Sequence, residues 1–403
     1  MTAEGSPTPL AQRARTFVIV MGIVAMFGDM TYEGARGIVG PYLALLGASA
    51  ATVGFAAGLG ELLGYGLRLA SGWLADRTRA YWPLVVLGYS INLVAVPGLA
   101  LVGGWRMGIA LLVLERVGKA IRSPARSTLV SYASTEVGAG WSFGLDEALD
   151  QLGAVTGPLM TALAMWLAGG GDGAAPYRAA FAILILPVFG NLALVAYARA
   201  KYPQPEELAT RELATPTIAR GTLTGALIAS SLLAFGFCDW ALVAYHAGAT
   251  HVLDGETIAI LYAVVMGIDA LAALAFGRLF DRVGLGALAL ASLVSAGLAP
   301  FVFLTTSWQV LVVGAVLWGI GMGAQDSILK AAIAVLVPKA SRARAYGLFF
   351  AVFGAAWWAG STTMGWLYDR SMMALVVVSV AAQLAAAVAF LVLARRSMPD
   401  AQR

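Results

Sequence analysis

The sequence predicts an all-α polytopic membrane protein, with twelve transmembrane helices forming two pseudo-symmetric bundles of six. Three observations predict it. First, 60% of the 403 residues are apolar and only 12% are charged, against roughly 25% charged in an average soluble domain. A water-soluble globule of this length could not hide so much apolar surface, so lipid must solvate much of the exterior. Second, the apolar sequence is nearly continuous, broken only by clusters of Gly, Pro and charge. Third, one of those breaks is repeated. Gly72-Trp73-Leu74-Ala75-Asp76-Arg77 returns 205 residues later as Gly277-Arg278-Leu279-Phe280-Asp281-Arg282. A turn repeated half a chain apart in such sequence implies two homologous sets of membrane helices.

A spanning helix needs about 20 mostly apolar residues. Splitting at the breaks gives twelve: 16–46, 51–75, 83–104, 106–126, 137–168, 178–200, 221–247, 255–279, 286–305, 308–336, 345–368 and 372–394. The first, fourth, fifth and tenth carry several charges, so hydropathy alone underrates them. The one substantial polar stretch, 201–220, holds Pro203, Pro205 and Pro216. It is expected to tether two rigid halves, residues 1–200 and 221–403. The repeat reaches further than the turn: Phe143-Gly144-Leu145 with Gly157-Pro158 aligns with Tyr346-Gly347-Leu348 and Gly360-Ser361. The fifth helix thus matches the eleventh, as the second matches the eighth. Two halves related by an axis along the membrane normal is a plan of solute transporters, with the solute site near the midplane between them.

Loop charge sets the expected orientation. With the N-terminus inside, the cytoplasmic segments hold Arg13, Arg15, Arg77, Arg79, Lys201, Arg211, Arg220, Arg282, Lys339, Arg342, Arg344, Arg395 and Arg396, and the other side only Arg106, Arg178 and Arg370. That asymmetry puts both termini in the cytoplasm and the chain in the inner (cytoplasmic) membrane. The same asymmetry accounts for the net charge of +4 without nucleic acid, for which no binding motif is present. Met1 to Arg15 reads as a retained tail, because the span after it is too long for a signal-peptide core. One cysteine, Cys238, and two histidines, His246 and His251, exclude an intrachain disulfide and give no basis for a metal or cofactor site. There is no phosphate-binding Walker loop, no HExxH pattern and no nucleophile motif, so neither an enzyme nor ATP drive is expected.

These residues resemble the major facilitator superfamily over nearly the whole chain. Gly72 to Arg77 resembles that family's signature between helices two and three, which departs here where Thr78-Arg79-Ala80-Tyr81 replaces a glycine and a double-basic run. The resemblance implies a gating latch at Gly72, Asp76, Arg77, Gly277, Asp281 and Arg282; a tight turn with a capped helix end would need the same residues. Gly153-Ala154-Val155-Thr156-Gly157-Pro158 resembles the front half of a helix-five antiporter motif, with Thr161-Ala162 in place of its trailing glycines. Close helix packing at Gly153 and Gly157 and a kink at Pro158 would explain the same residues. Asp29-Met30-Thr31-Tyr32-Glu33 and the run from Gly118 to Arg126 are similar to a bacterial branch of the family with no assigned substrate.

An ionisable side chain at membrane depth costs several kcal/mol unless it is paired or hydrated, and it faces the protein interior. The first half embeds Asp29, Glu33, Glu61, Glu115, Asp146, Glu147 and Asp150 with Arg36, Arg68, Arg116, Lys119 and Arg122; the second offers Asp239, Asp269, Asp326, Lys330 and His246. Ion handling is therefore expected in the first half. Asp29, Glu33 and Arg36 recur at i, i+4, i+7 on one helix face. Two carboxylates that close resist joint ionisation unless Arg36 compensates, which suits a proton carrier. Asp29 lies roughly 21 Å along the helix from Arg15 at 1.5 Å per residue. Glu115, Lys119, Arg122 and Arg126 share a face of the fourth helix, and Asp146 and Asp150 a face of the fifth. A salt-bridge lattice from Lys119 and Arg122 to Asp146 and Asp150 is expected, as static glue or as part of the mechanism. Glu61 and Arg68 share a face of the second helix, in a structural or gating role. Asp239 and Asp269 are expected to contact substrate or tie neighbouring helices. Lys330 is the expected partner of Asp326, and Trp357 and Trp358 would stack on a solute or face core or lipid.

The expected function is proton-coupled secondary transport of a small organic solute by a rocking monomer in the bilayer, with efflux by antiport favoured. Uptake by symport with protons or sodium is the rival within transport. From another class, the fold could serve a non-transporting sensor or scaffold.

Overall fold

The computed structural model describes residues 9–137, 139–171, 173–208, 221–336 and 339–397. Helices and turns make up all of them, in twelve rods: α1 (Pro9–Leu45), α2 (Ala50–Thr78), α3 (Tyr81–Gly98), α4 (Trp105–Val137), α5 (Ala139–Leu167), α6 (Ala174–Ile183 and Ile185–Lys201), α7 (Gly221–Gly236 and Trp240–Ala249), α8 (Gly255–Val283), α9 (Gly286–Ala296 and Leu298–Phe303), α10 (Trp308–Leu336), α11 (Lys339–Tyr368) and α12 (Met372–Ser397). The protein is an all-α polytopic membrane protein. Nine of the rods are long and apolar enough to cross a bilayer by themselves; α4, α5 and α11 are the other three. Twelve spans bring both described ends, Pro9 and Ser397, to one side, called here the terminal side; the opposite side is the far side.

Local chemistry explains where the rods begin, break and end. Ser49 caps α2 by accepting from the Thr52 N–H, and Asp254 caps α8 from the Thr257 N–H, as short polar side chains do at helix starts. The repeated Gly-x-Leu-x-Asp-Arg turn closes α2 and α8 alike: Arg79 (φ 52°) donates its N–H to Ala75 O, and Gly284 (φ 57°) to Phe280 O. The first segments of α6 and α9 end at Ile183 and Ala296, four residues before Pro187 and Pro300, whose missing N–H cannot bond the preceding turn. α4 differs from expectation. It runs unbroken through Pro124 to Val137, well past the end expected at residue 126. The Ala120 carbonyl that Pro124 leaves without its helical donor instead accepts the Ser71 hydroxyl of α2 at 2.6 Å.

The rods pack in a repeating pattern. α1 lies on α5 and α6, as α7 lies on α11 and α12; α2 lies on α4, as α8 lies on α10. Contacts across the chain's midpoint repeat too: α2 meets α11, α8 meets α5, and α1 meets α7. The closest crossings rest on glycines. At Gly153 and Gly157 of α5 a Cβ would collide with the carbonyls of Met26 and Met30 in α1, and at Gly360 of α11 with that of Phe235 in α7. Small residues four apart permit this backbone approach. The outer faces carry Trp73, Leu101, Leu163, Trp166, Leu186, Leu271, Leu274 and Val388, all exposed. So continuous an apolar exterior is what a lipid-facing surface requires. Gly157→Leu should therefore prevent recovery of monodisperse protein by size-exclusion chromatography. Leu159→Ala, two residues away and exposed, should leave the elution and thermal unfolding unchanged.

Candidate functional site

The site is built where α1, α2, α4, α7 and α8 meet. Pro41 lies inside α1 and frees the carbonyl of Gly37, one turn back, from its helical donor. That carbonyl accepts the Trp240 indole N–H of α7 at 3.1 Å. Trp240 begins the second segment of α7, whose first turn is capped by Asp239: its Oδ1 accepts from the Ala241 N–H at 2.9 Å. The second carboxylate oxygen of Asp239 accepts the Trp357 indole N–H at 3.2 Å and faces Arg36 Nη2 at 3.7 Å. The proline inside one helix and the break in another thus turn backbone groups into ties between distant parts of the chain.

Arg36 stands at the centre of a buried charge cluster. Glu33 (3.8 Å), Glu61 (3.9 Å) and Asp239 (3.7 Å) surround its guanidinium. None is at hydrogen-bond distance, and Nη2 has no hydrogen-bond partner among the described residues. Arg116 extends the cluster, at 3.0 Å from Glu61 and 3.6 Å from Glu115. Glu33 also accepts the Tyr262 hydroxyl of α8 at 2.5 Å. The Tyr32 ring sits between cations, with Lys119 Nζ 3.7 Å and the Arg116 guanidinium 4.3 Å from its centroid. All five members of the Arg36 cluster that carry formal charge opposite or alongside it are at most 14% exposed at the side chain. Burial of this order costs several kcal/mol per ion unless partners compensate.

Beside the cluster lies a cavity of about 530 Å³, within the usual range for small-molecule sites. One wall is ionic: Asp29, Glu33, Arg36, Glu61, Arg68, Arg116, Lys119, Arg122, Arg126, Asp146, Glu147 and Asp150, from α1, α2, α4 and α5. The facing wall, from α8, α10 and α11, is mostly apolar: Met266, Met322, Phe350, Phe353 and Trp357, with Asp269 and Gln325. The far side is sealed by backbone contact. A Cβ at Gly40 would strike the Ala241 carbonyl, and one at Gly54 the Ser361 carbonyl, while Tyr245 donates to Ala48 O and the Ala51 N–H to Asp369. Toward the terminal side, the exposed Glu147 lies on the cavity lining.

The expected site residues are gathered unevenly. Glu33, Arg36, Glu61, Glu115 and Asp239 join one cluster, although Asp239 comes from the second half of the chain. Asp29, Lys119, Arg122, Asp146, Asp150 and Asp269 line the cavity without joining it. The expected lattice from Lys119 and Arg122 to Asp146 and Asp150 is corrected: Arg126 pairs with Asp146. Arg122 turns instead toward α3, with Asn92 Oδ1 at 3.4 Å and the Tyr89 ring at 4.5 Å, and Lys119 rests on Tyr32. One residue's difference along α4 rotates a side chain by 100°, and Arg126 is the basic residue one turn nearer the start of α5. Asp76 and Arg77 of the repeated turn are exposed, Arg77 lying over Trp73. Gly72 lies against Pro124 and Arg282 is exposed. Gly277 is half-buried, while the side chains of Asp281, Asp326 and Lys330 lie outside the described residues. Gly153 and Gly157 are accounted for by their contact with α1, and α5 continues through Pro158. Trp357 is core and tie at once, and Trp358 packs edge-on to Phe55. Tyr32, Tyr262 and Trp240 were not legible as site residues: they are ordinary aromatics in apolar sequence until the folded chain sets them beside charge.

Comparison with known proteins agrees with this architecture. Residues 228–403 match the family model described as Major Facilitator Superfamily. An uncharacterized protein of Mycobacterium tuberculosis (strain ATCC 25618 / H37Rv) is 39% identical over 385 residues, covering 94% of this chain and 93% of that one. An uncharacterized MFS-type transporter of Methanocaldococcus jannaschii is 24% identical over 365 residues, 88% of this chain and 89% of its own. The chain belongs to the major facilitator superfamily. Among solved structures, a mutant of the peptide transporter POT in complex with sulfate superposes with a TM-score of 0.73 at 16% identity, covering 98% of this chain and 96% of its own. A mutant of the nucleoside transporter NupG gives 0.72 at 12% identity, covering 94% and 99%. These likenesses show the fold. As a superfamily member, the protein is a non-enzymatic membrane transporter.

Proposed function

We propose that the protein is a proton-coupled secondary transporter of a small organic solute that works by alternating access. Residues 1–200 and 221–403 rock against each other about the central cavity, with 201–220 as their linker. The terminal side is cytoplasmic, as its excess of Lys and Arg supports, so this state opens inward. The observation that carries the reading is the Arg36 cluster. Its members come from both halves, and the ties that close the far side pass through it: Arg36 to Asp239, Tyr262 to Glu33, Trp240 to Gly37. An outward-opening motion must break all three. Four carboxyl groups, Glu33, Glu61, Glu115 and Asp239, face two guanidiniums, Arg36 and Arg116. Making and breaking the cross-half ties changes the partners and the hydration of these carboxyl groups, which is the exchange a proton carrier needs. Coupling then follows from geometry that both sides of the membrane reach in turn.

Direction is open to experiment, because the helix-five glycines that favoured export are explained by packing. The test uses purified protein in liposomes loaded with a pH dye and challenged with a solute library. Solute-evoked proton movement is expected, lost in Asp29→Asn/Glu33→Gln. Accumulation of solute driven by an inward proton gradient would mean symport, and extrusion would mean antiport. Solute flux that proceeds at an unchanged rate with no proton movement, in folded protein, would sink the coupling.

A further inference from the structure

The cations of the ionic wall divide into two groups. Arg36, Arg116 and Arg126 each have a carboxylate within 4.0 Å. Arg68, Lys119 and Arg122 have none among the described residues; each is braced on a tyrosine ring instead, Tyr65, Tyr32 and Tyr89 respectively. An aromatic face orients a cation and partly offsets its desolvation, but supplies no counter-charge. Lys119 and Arg122 stand three apart on α4, and both line the cavity wall, as does Ser123. Arg122 is 4% exposed and spends one N–H on Asn92, leaving the rest of its fork for another acceptor. Opposite them are Phe350, Phe353 and Trp357. The cavity therefore offers positive charge on one side and aromatic surface on the other.

Asp29 completes the arrangement. Its carboxylate interacts electrostatically with Lys119, Arg122 and Arg126 of α4, with Glu33 on its own helix and with Asp150 of α5, and Tyr89 of α3 packs against the neighbouring Gly28. It makes no ion pair within 4.0 Å among the described residues, so it balances the α4 cations from a distance and leaves the space beside them clear.

We propose that the cavity binds an organic carboxylate with an apolar or aromatic body, its charge on Lys119 and Arg122 and its body on the α11 aromatics, and that Asp29 takes up a proton as the anion arrives. The proposal rests on the transporter reading and deepens it: anion and proton occupy the site together, which makes them travel in the same direction. A planar two-oxygen acceptor matches the free edge of the Arg122 guanidinium, and Lys119 supplies a point charge. Two anions, carboxylate and Asp29, cannot share the same cations without repulsion, and a proton on Asp29 removes it.

Three probes with one body and different charge test this: 3-phenylpropionate, its amide and the corresponding amine. Isothermal titration calorimetry on the full-length protein in detergent should detect the carboxylate and neither of the others. Lys119→Gln and Arg122→Gln should each weaken it tenfold or more, Lys119→Arg should retain it, and Arg106→Gln, exposed and outside the cavity, should match the parent. Binding heats in buffers of different ionisation enthalpy should show proton uptake that disappears in Asp29→Asn. Amide or amine binding as tight as the carboxylate, failure of all three to bind, or proton uptake unchanged in Asp29→Asn would overturn the proposal. Carboxylate binding without liposome flux in either direction would leave this site standing and remove the transport reading; flux of the amine alone would do the reverse.

Discussion

Arg36→Gln is expected to abolish transport and to destabilise the protein more than any other single change in the cavity wall. The guanidinium is 8% exposed and stands 3.7–3.9 Å from three carboxylates. Removing it leaves Glu33, Glu61 and Asp239 facing one another, with Arg116 on Glu61 as the remaining ion pair of the three among the described residues. Breaking a buried ion pair from one side costs about 3–5 kcal/mol, because the surviving charge stays buried and unpaired. Thermal unfolding in lipid nanodiscs should show the loss. Arg36→Lys should restore most of the stability, since it keeps the charge. Arg36→Gln/Asp239→Asn should recover part of it, by removing one uncompensated carboxylate. Flux should stay absent in the double variant, which lacks the tie that the rocking motion makes and breaks. Unfolding of Arg36→Gln at the parent's temperature would show that the cluster is balanced without Arg36, and would remove it from the mechanism.

The second large effect is expected from a residue with no side chain. Gly40→Val should stop transport while leaving a folded, monodisperse protein. A Cβ at Gly40 meets the carbonyl oxygen of Ala241, and this contact exists only while α1 and α7 close the far side. Valine is no worse than glycine in the interior of a helix, so the isolated rod is unharmed. Overpacking costs about 1–3 kcal/mol, and every 1.4 kcal/mol moves a two-state population about tenfold. The inward-open state should therefore lose its majority. Labelling of Ser127→Cys, on a Cys238→Ala background, reads this directly: membrane-impermeant thiol reagent on the terminal side should react more slowly in Gly40→Val, and from the far side faster. Equal labelling in both backgrounds would show that the α1–α7 contact does not gate the cavity. Gly157→Leu supplies the contrast, since its contact with Met30 lies inside one set of six helices and should fail at folding.

Much of the architecture was readable before the chain was folded, and the reason is that membrane-spanning helices are local objects. Lipid demands about 20 apolar residues per span and a helical backbone wherever it touches hydrocarbon. The repeat recovered part of what hydropathy misses: α5 carries too much charge to be recognised alone, yet its Phe143-Gly144-Leu145 returns 203 residues on as Tyr346-Gly347-Leu348. One boundary was misplaced: the fourth helix was expected to end at residue 126 and α4 runs on to Val137. The half of the site that lies on one helix was equally readable. Asp29, Glu33 and Arg36 share a face because 3.6 residues make a turn.

Pairing was not readable. Lys119, Arg122 and Arg126 all present plausible partners for Asp146, and the choice of Arg126 depends on how α4 and α5 are rotated against each other. Arg36 meets Asp239 across 203 residues, and Glu33 meets Tyr262 across 229. Nothing within a few residues of either end specifies those meetings. The sequence by itself determined the solvent, the number of spans, the repeat and which helix faces carry charge, since each depends on composition or on spacing within one helix. Only the tertiary structure decided which charges are neutralised and which are left facing the cavity. That division is set by backbone approach at Gly40, Gly54, Gly153 and Gly157, and by ion pairing that acts only over a few ångströms.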